Sequence, residues 1–214
     1  MFKAVYFGIF LQEINYKKFK NSKVDFKILI DDGQIVKSGK SIVEGGGDAK
    51  LIFAGERIIL NLIQHLSGIA TLTNQFVKKL DNKKIKILDT RKTIPLLRAL
   101  QKQAVLAGGG NNHRQNLSDL ILIKDNHIAA ASSITKALHL AKKSQKKIEI
   151  ECDNINQVIE AVESKPDIIM LDNMPVLEIK KCSKIIREKS KNTKIEISGG
   201  INLENIQNFS NLDI

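Results

Sequence analysis

Residues 148–200 read IEIECDNINQVIEAVESKPDIIMLDNMPVLEIKKCSKIIREKSKNTKIEISGG. Three short runs of β-forming residues stand out, at 148–150, 168–171 and 195–197, separated by amphipathic helical segments. Working outward toward the N-terminus, runs at 120–123 and 85–88 continue the rhythm. Strand, helix and strand repeated in this way predict parallel βα units, in a doubly wound sheet or a βα barrel. Residues able to do chemistry follow each run: Asp89, Arg91 and Lys92, then Lys124, Glu151, Asp172, and Ser198-Gly199-Gly200. A doubly wound sheet draws ligands only from the strands at its switch point, whereas a barrel collects them from every strand, so a barrel is favoured. One Asp or Ser after a strand is ordinarily a cap or turn residue. Five sets in succession, mixing cations with anions, are not explained that way.

Upstream, the first fifty residues are β-rich. An apolar run covers 4–10, and KVDFKILIDDGQIV at 23–36 alternates around Asp32-Gly33, which predicts a hairpin. Gly45-Gly46-Gly47 is expected to end this sheet-like part. From 49 to 80 apolar residues recur at helical spacing, with Gly55 and Gly68 as weak points that suggest two helices or a kink. The expected division is therefore 1–80, a partial N-terminal α/β domain with its linking helices, and 81–214, an incomplete parallel βα barrel.

The composition excludes several classes. At 214 residues, 43% hydrophobic, the chain has enough apolar material for a packed core and is not a disordered segment. No apolar run reaches the roughly 18 to 20 residues of a membrane span, and MFKAVYFGIFLQEINYKK lacks the pattern of a signal peptide, so a cytoplasmic protein with no membrane partner is expected. Cys152 and Cys182 fit no metal spacing and no disulfide framework, so reduced thiols are expected. The formal charge of +11 comes from 29 Lys and only five Arg, the Lys scattered as surface pairs such as Lys83-Lys84 and Lys142-Lys143. With aromatics at 5% of the chain, a nucleic-acid partner is not expected. Arg98 and Arg187 read as helix-surface residues. Arg57, Arg91 and Arg114 occupy motif-like positions where a planar fork for carboxylate or phosphate is the better reason for Arg over Lys.

DTRKT at 89–93, GGGNNHR at 108–114 and LIKDNH at 122–127 resemble the quinolinate phosphoribosyltransferase family, also called nicotinate-nucleotide pyrophosphorylase (carboxylating). Glu56-Arg57, LSGIAT at 66–71, Glu149-Ile150-Glu151, MLDN at 170–173 and SGGI at 198–201 continue the likeness in order, across about residues 25–210. It implies a type II phosphoribosyltransferase fold and a homodimer or higher oligomer with sites shared between subunits. The implied substrates are quinolinate and phosphoribosyl pyrophosphate, with Mg²⁺ as cofactor. Arg91, His113 and Arg114 then match quinolinate-binding positions, and Arg57 an arginine that reaches the partner's site. Lys92 and Lys124 match lysines on phosphate and carboxylate groups. Glu151 and Asp172 match carboxylates that face the ribose hydroxyls and Mg²⁺, so Lys124, Glu151 and Asp172 are the implied catalytic set. Ser198, Gly199 and Gly200, ahead of a helix expected near Asn202, suit a 5′-phosphate on backbone N–H groups.

Plainer readings stand beside these. Gly108 to Gly110 can simply end a helix, His65 and His139 are ordinary helix residues, and His127 is a structural hydrogen-bonder rather than a base. No zinc site is expected without Cys or an HxxxH helix. Glu149 points to the same side of its strand as Glu151 and can share its role. The competing functions are a related type II transferase acting on another acid and an inactive truncated subunit. The resemblance also implies a further stretch before Met1 and a further barrel strand with a second glycine loop after Ile214. A chain without them is expected to bind phosphoribosyl pyrophosphate weakly.

Overall fold

A computed structural model describes residues 3–5 and 24–214, which pack as two units. Residues 3–5, 24–79 and 86–113 belong to the first, 80–85 and 114–214 to the second.

In the first unit, β1 (Lys3–Val5) pairs antiparallel with β3 (Ile35–Lys37), and β2 (Val24–Ile28) pairs antiparallel with β4 (Val43–Gly47). The remainder of the apolar run at 4–10 lies outside the described residues. The expected β2–β3 hairpin does not form, although its turn does: Gln34 N–H donates to Asp31 O (3.2 Å). Of the two central residues only Gly33 has positive φ, at 85°. A favoured two-residue hairpin turn needs positive φ at its first central residue, and a turn with positive φ only at the second splays the strands. The strands accordingly find other partners. Gly45-Gly46-Gly47 forms the last three residues of β4 and so ends the sheet-like part, as expected, with a helix beginning at Ala49; the Phe26 ring lies over Gly45.

Helix α1 runs unbroken over Ala49–Leu80, so Gly55 and Gly68, read as weak points, do not divide it into two helices. Its buried stripe of Ile63, Leu66 and Ala70 packs with Ala104 of α2 (Arg98–Ala107) and with Ile28, Ile30, Val36, Ile42 and Val43. Each helical glycine costs about 0.5–1 kcal/mol relative to Ala, less than the ~1.5–3 kcal/mol contributed by burying one Leu or Ile on that stripe. The position of Gly55 has room for a methyl, whose nearest neighbour would be Ile59 Cδ1 at 3.6 Å. Gly55→Ala is therefore expected to raise stability by about 0.5–1 kcal/mol, a gain of a few degrees in a calorimetric melt.

The second unit is a four-stranded parallel sheet in the order β5 (Ile121–Ile123), β6 (Ile148–Cys152), β7 (Ile168–Asp172), β8 (Lys194–Ser198). Neighbours in space follow neighbours in sequence, as in a barrel wall and unlike the reversal of a doubly wound sheet. The run at 85–88 is not a further strand among the described residues. It makes one isolated parallel bridge, Leu88 with Asn111, because its neighbour is an irregular glycine loop that offers no ladder. The connecting helices are α3 (Asp125–Ala131), α4 (Ile134–Lys142), α5 (Ile155–Glu163) and α6 (Val176–Lys189), with a 3₁₀ turn at Ile206–Phe209.

Alternation divides the sheet into two chemistries. Ile123, Ile150, Cys152, Ile169, Leu171 and Ile195 are buried on one face, where α4 packs on β5 and β6 and α5 on β6 and β7. The pairing Glu151–Met170–Glu196 and Asp172–Ser198 puts the carboxylates on the other face, with Glu149 two residues deeper on β6 and fully buried. Cys152 and Cys182 are free and buried, and desolvation pushes their thiols up to about 12 and about 11, consistent with inert reduced cysteines. Arg187 is not a mere surface residue: it donates to Thr193 O (2.7 Å) and to Asp213 (3.2 Å), and Ser183 donates to Asp213 O (2.6 Å), so α6 anchors the last residues.

Candidate active site

At the carboxyl ends of the parallel strands, Lys124 directly follows β5, Glu151 is the penultimate residue of β6, and Asp172 and Ser198 end β7 and β8. Lys124 Nζ makes an ion pair with Glu151 Oε2. Oxygens of Glu151, Asp153 and Asp172 lie within 4.8 Å of one another. Lys124, Glu151 and Asp172 are thus together. Asp153 was missed from the sequence; its signal was position i+2 from Glu151, the same side of an extended chain. Held by β6, β7 and the start of α3, these groups form an acidic cluster with one built-in cation.

The backbone around the cluster is shaped for it. Asn173, at φ +53°, donates its amide to Asp172 Oδ2 (2.6 Å) and its N–H to Ser198 O (2.9 Å). Gly199 has φ +85°, and a Cβ there would meet Asn173 Oδ1 at 2.1 Å, so only glycine lets β8's exit pass beside the Asp172 loop. Gly200 O accepts from Asn205 Nδ2 (2.8 Å). The helix expected near Asn202 is only the four-residue 3₁₀ turn, so the expected helix terminus behind a 5′-phosphate is not there. His127 is the structural hydrogen-bonder it reads as: its Nδ1 accepts the Lys124 N–H (3.0 Å), orienting the start of α3. Arg114 donates to Leu120 O (3.1 Å), and Asp119 accepts the N–H groups of Asn116 (3.1 Å) and Gln115 (2.9 Å), which hold its carboxyl below the usual carboxylate value.

The first unit carries the remaining cations. Arg91 is half-buried, and its Nε is buried without a hydrogen-bond partner among the described residues, whereas Lys92 is exposed. Thr90 Oγ1 accepts the Lys92 N–H (3.1 Å). Arg98, read as a helix-surface residue, instead braces this loop, donating to Thr93 Oγ1 (3.0 Å) and Arg91 O (3.4 Å), because α2 begins directly beneath it. His113 joins the same region, its N–H donating to Asp89 Oδ1 (2.9 Å). Arg57 stands exposed on α1, with no ion pair among the described residues.

Residues 69–214 match the family model described as quinolinate phosphoribosyl transferase, C-terminal domain, and residues 10–67 match that of the N-terminal domain. The probable nicotinate-nucleotide pyrophosphorylase (carboxylating) of Methanocaldococcus jannaschii is 44% identical over 205 residues, covering 92% of this chain and 71% of the relative. The protein of that name from Bacillus subtilis is 47% identical over 181 residues, which are 83% of this chain and 62% of the relative, less than two thirds of its length. The crystal structure of nicotinate-nucleotide pyrophosphorylase from Ehrlichia chaffeensis matches with a TM-score of 0.90 at 43% identity, covering 99% of this chain and 77% of that one.

Proposed function

Because the chain belongs to the quinolinate phosphoribosyltransferase family, we propose that it converts quinolinate and phosphoribosyl pyrophosphate to nicotinate mononucleotide, pyrophosphate and CO₂, a step of NAD biosynthesis. The observation that carries this reading is the convergence of Lys124, Glu151 and Asp172 at the carboxyl ends of β5 to β7. In the reaction, the ring nitrogen forms a bond to the anomeric carbon while the bond to pyrophosphate breaks, its electron pair leaving with pyrophosphate. The ring-to-carboxylate bond at the 2-position then breaks, CO₂ departs, and that carbon takes a proton. Positive charge developing on the ribose is stabilised by Glu151 and Asp172. Arg91, His113 and Arg114 bind the dicarboxylate, Lys92 and Lys124 neutralise substrate anions, and Ser198, Gly199 and Gly200 border the 5′-phosphate. No side-chain nucleophile is required, so the chemistry is positioning and electrostatics.

Glu151 and Asp172, with Asp153 beside them, would hold Mg²⁺, since clustered carboxylate oxygens are the hard donors that ion takes. Bound there, Mg²⁺ supplies charge neutralisation for the pyrophosphate group. The test is quantitation of nicotinate mononucleotide and pyrophosphate released by the purified chain with and without Mg²⁺. Absence of product overturns the reading. Equal binding of quinolinate and nicotinate would point instead to a related transferase acting on another acid.

We assign the chain to a homodimer in which Arg57 serves the partner's site. Phe53 and Leu60, seven residues apart and so on one face of α1, are 72% and 44% exposed, an apolar surface suited to a second copy. Mixing Arg57→Ala chains with Arg91→Ala chains is expected to restore activity that neither has alone, because one of the two shared sites in each heterodimer is then intact. An active monomer in sedimentation would overturn it. No described helix is long and apolar enough to cross a membrane, and the two buried free thiols suit a reducing cytoplasm.

A further inference from the structure

Lys102, on α2, is 2% exposed, a burial lysine tolerates only when its ammonium is fully engaged. Its Nζ makes an ion pair with Asp89 Oδ1 and donates to His113 O (3.0 Å). Asp89 Oδ1 also accepts the His113 N–H (2.9 Å). With its side-chain amide oriented to satisfy both partners, Asn112 donates to Asp89 Oδ2 (2.6 Å) and Lys102 O (3.0 Å). The Asp89 carboxylate, 7% exposed, thus receives three donors, and one ammonium ties residue 89 to residue 113. Main-chain bonds reinforce the seam, Asn111 N–H to Ile87 O (2.7 Å) and Asp89 N–H to Asn111 O (3.1 Å). One residue earlier on α2, Gln101 accepts the Ile94 N–H (2.9 Å) and also meets His65 (2.8 Å).

We infer that Lys102 is a positioning residue: through Asp89 it sets the spacing between the loop carrying Arg91 and Lys92 and the loop carrying His113. It does not itself touch substrate. The inference rests on the proposed reading of those loops as the acid-binding elements. Paired guanidinium and imidazole groups recognise a rigid planar dicarboxylate only if their separation is fixed before binding, and a clamp made of buried charge fixes it without moving parts.

Lys102→Met strands the Asp89 carboxylate in the interior, so its melting temperature is expected to fall by about 10 °C. The double variant Asp89→Asn/Lys102→Met removes the stranded charge and keeps an acceptor for His113. It is expected to recover most of the melting temperature yet retain a KM for quinolinate about tenfold above wild type, with kcat and the KM for phosphoribosyl pyrophosphate within about threefold. A normal quinolinate KM in the double variant, or equal rises in both KM values, would overturn the inference by reducing the pair to a general stabiliser. The wild-type chain supplies a test that needs no variant. In hydrogen exchange the His113 amide is expected to be protected without ligand and unchanged by saturating quinolinate; protection acquired only on binding would overturn it. Failure of the wild type to turn over quinolinate would reject the proposed function, while the exchange measurement still judges the clamp.

Discussion

Glu151→Gln is expected to lower kcat by about a hundredfold or more while changing the KM for quinolinate only a few-fold. The substitution keeps shape and an acceptor oxygen but removes the charge that the proposed mechanism sets beside the developing ribose cation. Electrostatic groups aimed at charge that exists only in the transition state typically contribute a factor of about 100 to 1,000. It also frees Lys124, whose ammonium pairs with Glu151. That pair is partly solvated, with Lys124's side chain 42% exposed, so it stabilises the fold by about 1 kcal/mol at most. A folded variant with unchanged melting temperature and collapsed kcat is the outcome that distinguishes a chemical role from a structural one. Steady-state kinetics beside a thermal melt decide it, and unchanged kcat would remove Glu151 from the catalytic set.

Gly108→Ala is expected to cost about 3 kcal/mol of stability, because it drives a methyl into backbone rather than into an adaptable side chain. A Cβ at Gly108 would lie 2.4 Å from Ala70 O and 2.7 Å from Thr73 Cβ on α1. Overpacking of a well-filled interior usually costs about 1–3 kcal/mol, and here the obstacle is a helix carbonyl that cannot rotate away. Gly108 O also accepts from Asn74 Nδ2 (3.2 Å), so separating the helices loses that bond as well. The glycine run leads through Asn111 into Asn112 and His113, so on the proposed reading quinolinate affinity should fall with stability. Denaturant unfolding of the two chains gives the difference; a change below about 0.5 kcal/mol would show that α1 and α2 can move apart freely.

The βα rhythm was legible from 120 onward because each strand there is a short β-branched run and each helix is amphipathic. Those periods, 2 and 3.6, belong to the local chain. The candidate residues at the strand ends were legible for the same reason, since the residue after a parallel strand sits at its mouth whatever the neighbours are. Run 85–88 shows the limit: its composition is strand-like, but an isolated bridge to Asn111 is all the ladder it receives. Asp32-Gly33 shows another, because the dipeptide predicts a turn while the φ of its first residue decides whether the flanking strands can pair.

By itself the sequence determined the parallel units, the separation of an apolar face from a charged one, and the cations and carboxylates that stand at the strand ends. Alternation and adjacency do not depend on distant partners. Only the tertiary structure decided that α1 is continuous across two glycines, that Arg98 and Arg187 are braces, that Asp153 joins Glu151 and Asp172, and that Lys102 is a buried clamp on Asp89. Each of these depends on which groups from elsewhere in the chain remove a side chain from water and satisfy its hydrogen bonds. Among the described lysines, Lys102 stands apart through that desolvated surrounding, which no local pattern encodes.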